Sequence, residues 1–402
     1  MGFFHQYDHH LSAKELALVE RAREFCAGSF SEDVHAAYSQ GEPFSVDWIS
    51  KWAGLGMLGL QAKREHGGHE ASFLCKIRVA QEMAQHSFAA AFCLNHHQSI
   101  VTRVSHSGSA EQRDRLLKEM ISGSILGSVA MTEPAGGSDL AALSTVATPV
   151  EGGWLLNGRK SWVTDGTIVK CLVLLARVSG GEAKDEIASF LVPCDAQNAI
   201  ERRELVVPGA RSFRLAEIAF QNHFVPAWTM LNRPGEALKT SLVAVNAARV
   251  HVAAMCVASL FAALREAIKY CEGRLAFGKP VLVHQGLQWE LAEIATRAEA
   301  ANALVFKAAQ RVNQGDVVQT LAAQCKKFAV DTAVWGIDQC IRVMGAVGAS
   351  SVHRLSMLHA EVRMAAYGDG TNEVLLDRIG RGLIKQYGDA CGSADEAMRC
   401  ET

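Results

Sequence analysis

The spacing of apolar positions along the chain changes twice. From residue 10 to about residue 124, apolar side chains recur every three to four residues, the period of amphipathic helices. Ser12-Ala13-Lys14-Glu15 has the Ser-x-x-Glu form of a capping box and stands directly before a periodic segment. "FLCKIRVAQEMAQHSFAAAFCL" and "EQRDRLLKEMISG" continue at helical spacing. Near residue 125 the pattern shortens. "SILGSVAMTE", "STVATPV" followed across Glu-Gly-Gly by "WLLNG", "KSWVTDG", "VKCLVLLARV" and "IASFLVP" are β-branched or alternating runs cut by glycine and proline, which predicts strands and hairpins. The same texture runs through "LAEIAFQNHFVPAWTML" to about residue 234. From "PGEALKT" onward the helical period returns. Leu287, Leu291, Ile294 and Ala298 recur at three and four residues in a long, Ala-rich segment suited to close-packed helices.

This order predicts a mainly α protein with a segregated β part, not a βαβ fold. The expected domains are 1–124, helical; 125–234, β; and 235–402, a helical bundle. No repeat of fixed period stands out.

Composition narrows the function classes. The chain has 402 residues, 49% hydrophobic and 20% charged, enough for a substantial core. Its formal net charge is −2, so no electrostatic argument favours nucleic acid or an anionic membrane. The 11 cysteines form no C-x-x-C pair, which argues against a zinc site and a disulfide framework. They read as small buried residues of a reducing cytoplasm. The first residues lack the basic start and apolar core of a signal peptide. No run is expected to reach the roughly 20 apolar residues of a membrane span. The expectation is a cytoplasmic protein with no metal, no membrane and no nucleic-acid partner.

The chemistry lies in a few short stretches. No G-x-G-x-x-G follows a strand and no Walker loop is present, so neither usual nucleotide signature applies. "AAYGDGTNEVLL" (365–376) sets one carboxylate, Asp369, between Gly368 and Gly370 just before an apolar run. Asp, Thr and Asn all favour caps and turns, so the stretch alone reads as a helix start. It also reads as a base held against a ligand.

Three further stretches, "AMTEPAGGSDLAALSTVA" (130–147), "LNGRKSWVTDG" (156–166) and "GRLAFGKPVLVHQGLQWELAEIA" (273–295), join it and "MGAVGA" (344–349) in order. Together they resemble the acyl-CoA dehydrogenase family, across nearly the whole chain. The resemblance implies an N-terminal helical domain, a middle β-barrel and a C-terminal four-helix bundle, with FAD as cofactor.

It also implies roles. Met131 and Thr132 would contact the flavin pyrimidine side, and Ser138 a phosphate or the acyl-thioester arm. Trp162 and Thr164 would flank the isoalloxazine ring. Arg274, Phe277 and Gln285 match positions that hold the ADP part of FAD bound mainly by a neighbouring subunit, so a homodimer or homotetramer is implied. Gly345, Ala346 and Gly348 would bring backbone amides near the diphosphate, and Arg342 would reach ribose or phosphate. Thr371 and Glu373, just after the base turn, are also assigned to the cofactor. Arg249 and Gly370 are assigned to the substrate, with Arg249 beneath the thioester end of the pocket.

Asp369 then stands where the family keeps the base that removes a Cα proton while hydride leaves Cβ for the flavin. The family's usual residue there is Glu, in a Tyr-Glu-Gly-Thr type sequence. Asp is one methylene shorter, a bond of about 1.5 Å. Ala248 occupies the alternative Glu position of some members and cannot substitute. Leu376 stands where many relatives have Arg, with Arg378 two residues on.

The expected activity is therefore FAD-dependent oxidation of the Cα–Cβ bond of an acyl thioester. The thioester is carried on CoA or on a carrier protein, and electrons pass to an electron-transfer flavoprotein or another acceptor. The alternative is a flavin oxidase or monooxygenase of the same fold, since nitroalkane-oxidase-like relatives use Asp as base. Those relatives keep the Arg that Leu376 does not supply. A non-catalytic, nucleic-acid-associated relative is disfavoured by the balanced charge and by Asp369. The acyl pocket is expected between helices near 75–105 and 241–260. The adjacent His96 and His97 on its wall read as solvated or core histidines.

Overall fold

A computed structural model describes residues 4–194 and 199–388. Seven helices come first: α1 (Ala13–Phe25), α2 (Ser31–Ser39), α3 (Asp47–Gly54), α4 (Phe73–Ala84), α5 (Phe88–Ser107), α6 (Ala110–Gln112) and α7 (Lys118–Ile121). The capping box forms as expected: the Ser12 N–H donates to Glu15 Oε2 at 2.9 Å and the Glu15 N–H to Ser12 Oγ at 3.4 Å. The apolar run through residues 73–94 is two helices, not one. Ser87 caps α5, its Oγ accepting the Ala90 N–H at 3.1 Å and donating to the buried carboxylate of Glu361. Burial pushes Glu361 up to about 7 despite its bonds from Ala89 and Ser87.

The β region is one eight-stranded mixed sheet. Its strands are β1 (Gly127–Ala130), β2 (Val146–Val150), β3 (Gly153–Val163), β4 (Cys171–Val178), β5 (Ile187–Pro193), β6 (Ile200–Glu204), β7 (Ala216–Pro226) and β8 (Met230–Asn232). They lie in the order β6-β7-β3-β2-β4-β5-β8, with β1 running parallel to the first half of β4. Leu172, Leu174 and Ala176 of β4 fill the sheet's own core with Phe190 and Phe220. Val173 packs outward against Ile100 and Val104 of α5. Burial on both faces is why this strand reads as an unbroken apolar run. The strand β6, "IERRE", is largely polar and was not expected. It lies on the edge of the sheet, where charged side chains are tolerated and block further pairing.

The register between β3 and β7 shifts twice, after Leu156 and after Lys160. Bulges of this kind bend a strand and re-aim a side chain. The second one contains Trp162.

The remainder is helical: α8 (Ala237–Gly273), a hairpin of β9 (Leu275–Ala276) and β10 (Lys279–Pro280), then α9 (Gln285–Asn313), α10 (Gln319–Met344), α11 (Leu355–Met364) and α12 (Asn372–Tyr387). Helices α8, α9, α10 and α12 form the bundle, and Leu291, Ile294 and Ala298 of α9 are buried in it. One apolar core runs from Val19 and Trp52 in the first helices to Leu260 and Ile337 in the bundle. One expectation needs correction here. By length and composition α8 could cross a membrane, but 89% of its most apolar window is buried inside the molecule, so it is a core helix. Nine cysteines are buried and free. Cys391 and Cys400 lie outside the described residues.

Candidate active site

The stretch between α11 and α12 is a clamped turn. Asp369 has φ 54° and Gly370 φ 97°. Left-handed backbone strains most residues, and Asp is among the few types found in it several-fold more often. Two cations hold the turn from below. Arg249 of α8 donates from Nε to the Asp369 carbonyl at 2.9 Å and from Nη1 to Asn246 Oδ1 at 3.1 Å. Lys326 of α10, fully buried, donates from Nζ to the Gly370 carbonyl at 2.6 Å. Burial pushes Lys326 down to about 8, against the opposing pull of the Asp369 charge. A side chain on Gly370 would crowd Arg249, its Cβ 3.2 Å from Nη2.

The helix-start reading of this turn does not account for the acid. Thr371 is the N-cap of α12 and makes no capping bond. Its hydroxyl instead interacts with Glu373, which is exposed and held below the usual carboxylate range by its own backbone N–H and by Thr371. The Oδ2 of Asp369 is buried and has no partner. Its backbone N–H donates to no group among the described residues. A buried oxygen without a donor is rare enough to need an explanation, and a place in a ligand site is one.

The middle domain brings the other two short motifs together. The Ser161 N–H donates to the Thr132 carbonyl at 2.8 Å, so Met131-Thr132 and Trp162-Thr164 lie side by side. Behind them Glu133 and Lys160 form a buried ion pair at 2.7 Å. Glu133 also accepts from the Ser144 and Thr145 amides at 2.6 and 2.9 Å, and from both hydroxyls at 2.5 Å. Burial opposes the charge, but these donors bring Glu133 down to about 2. Lys160 reaches the Met131 carbonyl at 3.4 Å as well. This pair ties the Gly-rich loop to β3, and sequence reasoning missed it.

Trp162 sits in the bulge at φ 58° with 53% of its surface exposed. A bulky aromatic in left-handed backbone is strained, and strain of this kind clusters where a ligand is held. An exposed indole face over a backbone fixed by Glu133 and Lys160 suits a planar ring system such as flavin. Thr164 beside it is buried, whereas Ser138 is exposed on the far end of the loop. A Cβ on Gly137 would lie 2.9 Å from Thr132, so the loop needs glycine there.

Aromatic contacts connect the two halves. The Asp165 N–H donates to the Phe213 carbonyl at 2.9 Å, Phe213 meets Phe92 edge-on at 5.5 Å, and Phe92 stands 3.5 Å from where a Gly368 side chain would begin. His96, one turn beyond Phe92, is half-buried and feels the charge of Asp369. His97 is a core histidine, joining Met120 O at 2.9 Å and accepting the Gly127 N–H at 3.0 Å.

The remaining expected residues lie elsewhere on the surface. Arg274, Phe277 and Gln285 surround the β9–β10 hairpin, all exposed, Phe277 at 94% and with φ 54°. Among the described residues no hydrogen bond, ion pair or ring contact joins them to Trp162 or Asp369. Arg342 is exposed and donates to Gln339 Oε1 at 2.5 Å. Gly345 ends α10 at φ 68°, Ala346 is exposed, and a Cβ on Gly348 would lie 2.8 Å from the Ile341 carbonyl. Ala248 is half-buried and carries no acid. Leu376 is exposed, and Arg378 donates to Gln319 at 3.4 Å. Among the described residues no cluster of three potential metal ligands occurs.

Comparison with known proteins finds relatives along nearly the whole chain. The models of the acyl-CoA dehydrogenase N-terminal, middle and C-terminal domains match residues 12–124, 128–223 and 238–384. A benzylmalonyl-CoA dehydrogenase of Aromatoleum aromaticum is 31% identical over 85% of this chain and 90% of its own length. An acyl-CoA dehydrogenase of Bacillus subtilis is 28% identical over 91% of this chain and 96% of its own. Among solved structures, butyryl-CoA dehydrogenase from Megasphaera elsdenii superposes with a TM-score of 0.87 at 25% identity, covering 93% of this chain and 99% of that one.

Proposed function

This chain belongs to the acyl-CoA dehydrogenase family, whose cofactor is FAD, and from that premise we propose that it oxidises the Cα–Cβ bond of an acyl thioester with Asp369 as the base. The observation that carries the proposal is the Asp369 carboxylate: buried at Oδ2, unpartnered, and fixed at its backbone by Arg249 and Lys326. Bound FAD supplies the hydride acceptor, and Met131, Thr132, Trp162 and Thr164 would hold its ring system. The Asp369 carboxylate takes the Cα proton. The electron pair left on Cα becomes the new double bond as hydride departs from Cβ. The thioester carbonyl needs a donor while negative charge builds on it, and the unused N–H of Asp369 provides one. Arg249 and Lys326 hold that N–H in place by fixing the Asp369 and Gly370 carbonyls that follow it.

Arg274, Phe277 and Gln285 would complete the ADP site of a second copy, which accounts for an aromatic as exposed as Phe277. The reduced cofactor would pass its electrons to an electron-transfer flavoprotein or an equivalent acceptor. Asp369→Asn tests the assignment. The variant should retain FAD yet lose anaerobic flavin reduction by a thioester that bleaches the wild-type flavin. Reduction at the wild-type rate would remove Asp369 from the role. Slow reoxidation of the reduced flavin in air is expected of a dehydrogenase, and fast reoxidation would point to an oxidase.

A further inference from the structure

Helices α4 and α8 pack side by side, and a hydrogen bond between them fixes their alignment. Ser259 Oγ donates to the Ala84 carbonyl at 2.8 Å. At its other end α4 is tied to α9, where the Phe73 N–H donates to Asn313 Oδ1 at 3.0 Å. Two turns before the Ser259–Ala84 contact, each helix carries a basic residue: Lys76 on α4 and His251 on α8. Lys76 is 5% exposed, and its ammonium forms no hydrogen bond or ion pair among the described residues. His251 is 1% exposed, and neither ring nitrogen has a partner. His96 of α5 completes the group. Its ring lies 4.7 Å from that of Phe92, and among the described residues its Nδ1 meets only Ser128 Oγ, at 3.4 Å. The three are close enough to shift one another's ionisation, and His96 also feels Asp369. Burial pushes Lys76 down to about 7 and His251 far below its ordinary range.

This arrangement is costly to the fold. A lysine that is 5% exposed with no polar partner among the described residues and an imidazole with two orphaned buried nitrogens each forfeit solvation, and neither caps a helix. Hydrophobic residues of similar size would pack the same space without that cost. Lys76, His96 and His251 also stand on the helical segments 75–105 and 241–260 expected to line the acyl pocket, and His96 feels the charges of both Asp369 and Lys76.

Resting on the reading of Asp369 as α-proton base, we propose that Lys76, His251 and His96 bind a carboxylate at the far end of the acyl chain. The substrate class is then an ω-carboxyacyl thioester. Such a group supplies the acceptors that the ammonium and imidazole N–H groups lack. An alkyl terminus would leave them buried and unpaired.

The test uses the FAD-loaded wild-type enzyme under anaerobic conditions, following loss of oxidised-flavin absorbance. Glutaryl and adipyl thioesters are compared with butyryl and hexanoyl thioesters, each as CoA and as pantetheine derivatives. A preference for the carboxylated member on the order of 100-fold or more in kcat/KM is expected, because a site built to hydrogen-bond a group rejects the analogue lacking it. Lys76→Met with full FAD content should abolish that preference and improve use of the alkyl thioesters. Should alkyl thioesters reduce the wild-type flavin as well as their carboxylated partners, the carboxylate site is overturned while the dehydrogenase reading stands. Should no thioester of either kind bleach the flavin, the Asp369 reading itself fails and this proposal falls with it. The wild-type comparison decides the matter even if the variant does not fold.

Discussion

Replacing Asp369 by glutamate restores the family's usual side chain and should nonetheless slow this enzyme. The added methylene moves the carboxylate outward by about 1.5 Å if the backbone stays where it is. The backbone has little freedom to retreat, because the Asp369 and Gly370 carbonyls are held at 2.9 and 2.6 Å by Arg249 and Lys326. Retreat would break two charge-assisted hydrogen bonds, each worth about 1.5–3 kcal/mol. Glutamate also fits left-handed backbone less well than aspartate, and the turn needs φ 54° there. If the turn holds, misplacement on the order of 1 Å costs roughly a hundredfold in rate. If it yields, the lost bonds cost about 3 kcal/mol or more, which is again roughly a hundredfold. Both routes predict the same fall in the rate of flavin reduction at saturating substrate, with FAD content unchanged. Rapid-mixing anaerobic absorbance measures it directly, with Asp369→Asn setting the floor. An Asp369→Glu enzyme as fast as wild type, or faster, would refute the clamped-turn argument and mean that the short base is merely tolerated.

Three further outcomes follow from the same contacts. Lys326 is depressed to about 8 from an ordinary 10.5, so its burial destabilises the fold in full below pH 8, and that cost fades as pH rises from 8 to 10.5. Relative to Lys326→Met, wild-type stability by denaturant titration should therefore rise by up to about 3 kcal/mol over that window; a flat difference would show that Lys326 is solvated. Glu133→Ala leaves Lys160 buried without its counter-ion and should cost about 3–5 kcal/mol, read as a lower urea midpoint and loss of FAD. Trp162→Gly should relieve about 1 kcal/mol of backbone strain in the apoprotein while weakening FAD binding at least tenfold by fluorescence titration; unchanged FAD affinity would take the indole out of the cofactor site.

The parts of this structure that the sequence announces are those built by neighbours in the chain. Ser12 and Glu15 cap α1 within a single turn, and the run "CLVLLARV" declares a strand covered on both faces. The break between α4 and α5 was hidden because Ser87 caps α5 with the help of Glu361, 274 residues away. Strand β6 was hidden because an edge strand has no need to alternate. Asp369 was identifiable only through the family resemblance, since Gly-Asp-Gly-Thr before an apolar run is equally a helix start. The lysines were missed for a different reason: nothing in their immediate neighbours marks them.

Yet the helical period does mark them. Lys326 follows Ala322 by four residues and precedes Ala329 and Ala333 by three and seven, so it lies on the buried stripe of α10. Its neighbour Lys327 points away and pairs with Asp331 at 3.0 Å on the surface. Lys76 stands in the same relation to Phe73, Ala80 and Met83 of α4. A lysine on an apolar stripe must either be paid for by packing around its stem with the ammonium led out to water, or meet a partner inside. Lys326 meets the Gly370 carbonyl. Lys76 is 5% exposed and has no hydrogen bond or ion pair among the described residues, which points to a partner brought in from outside. The same stripe position thus separates a lysine that holds the base turn from one that waits for substrate, and only the second should change its protonation when a carboxylated thioester binds.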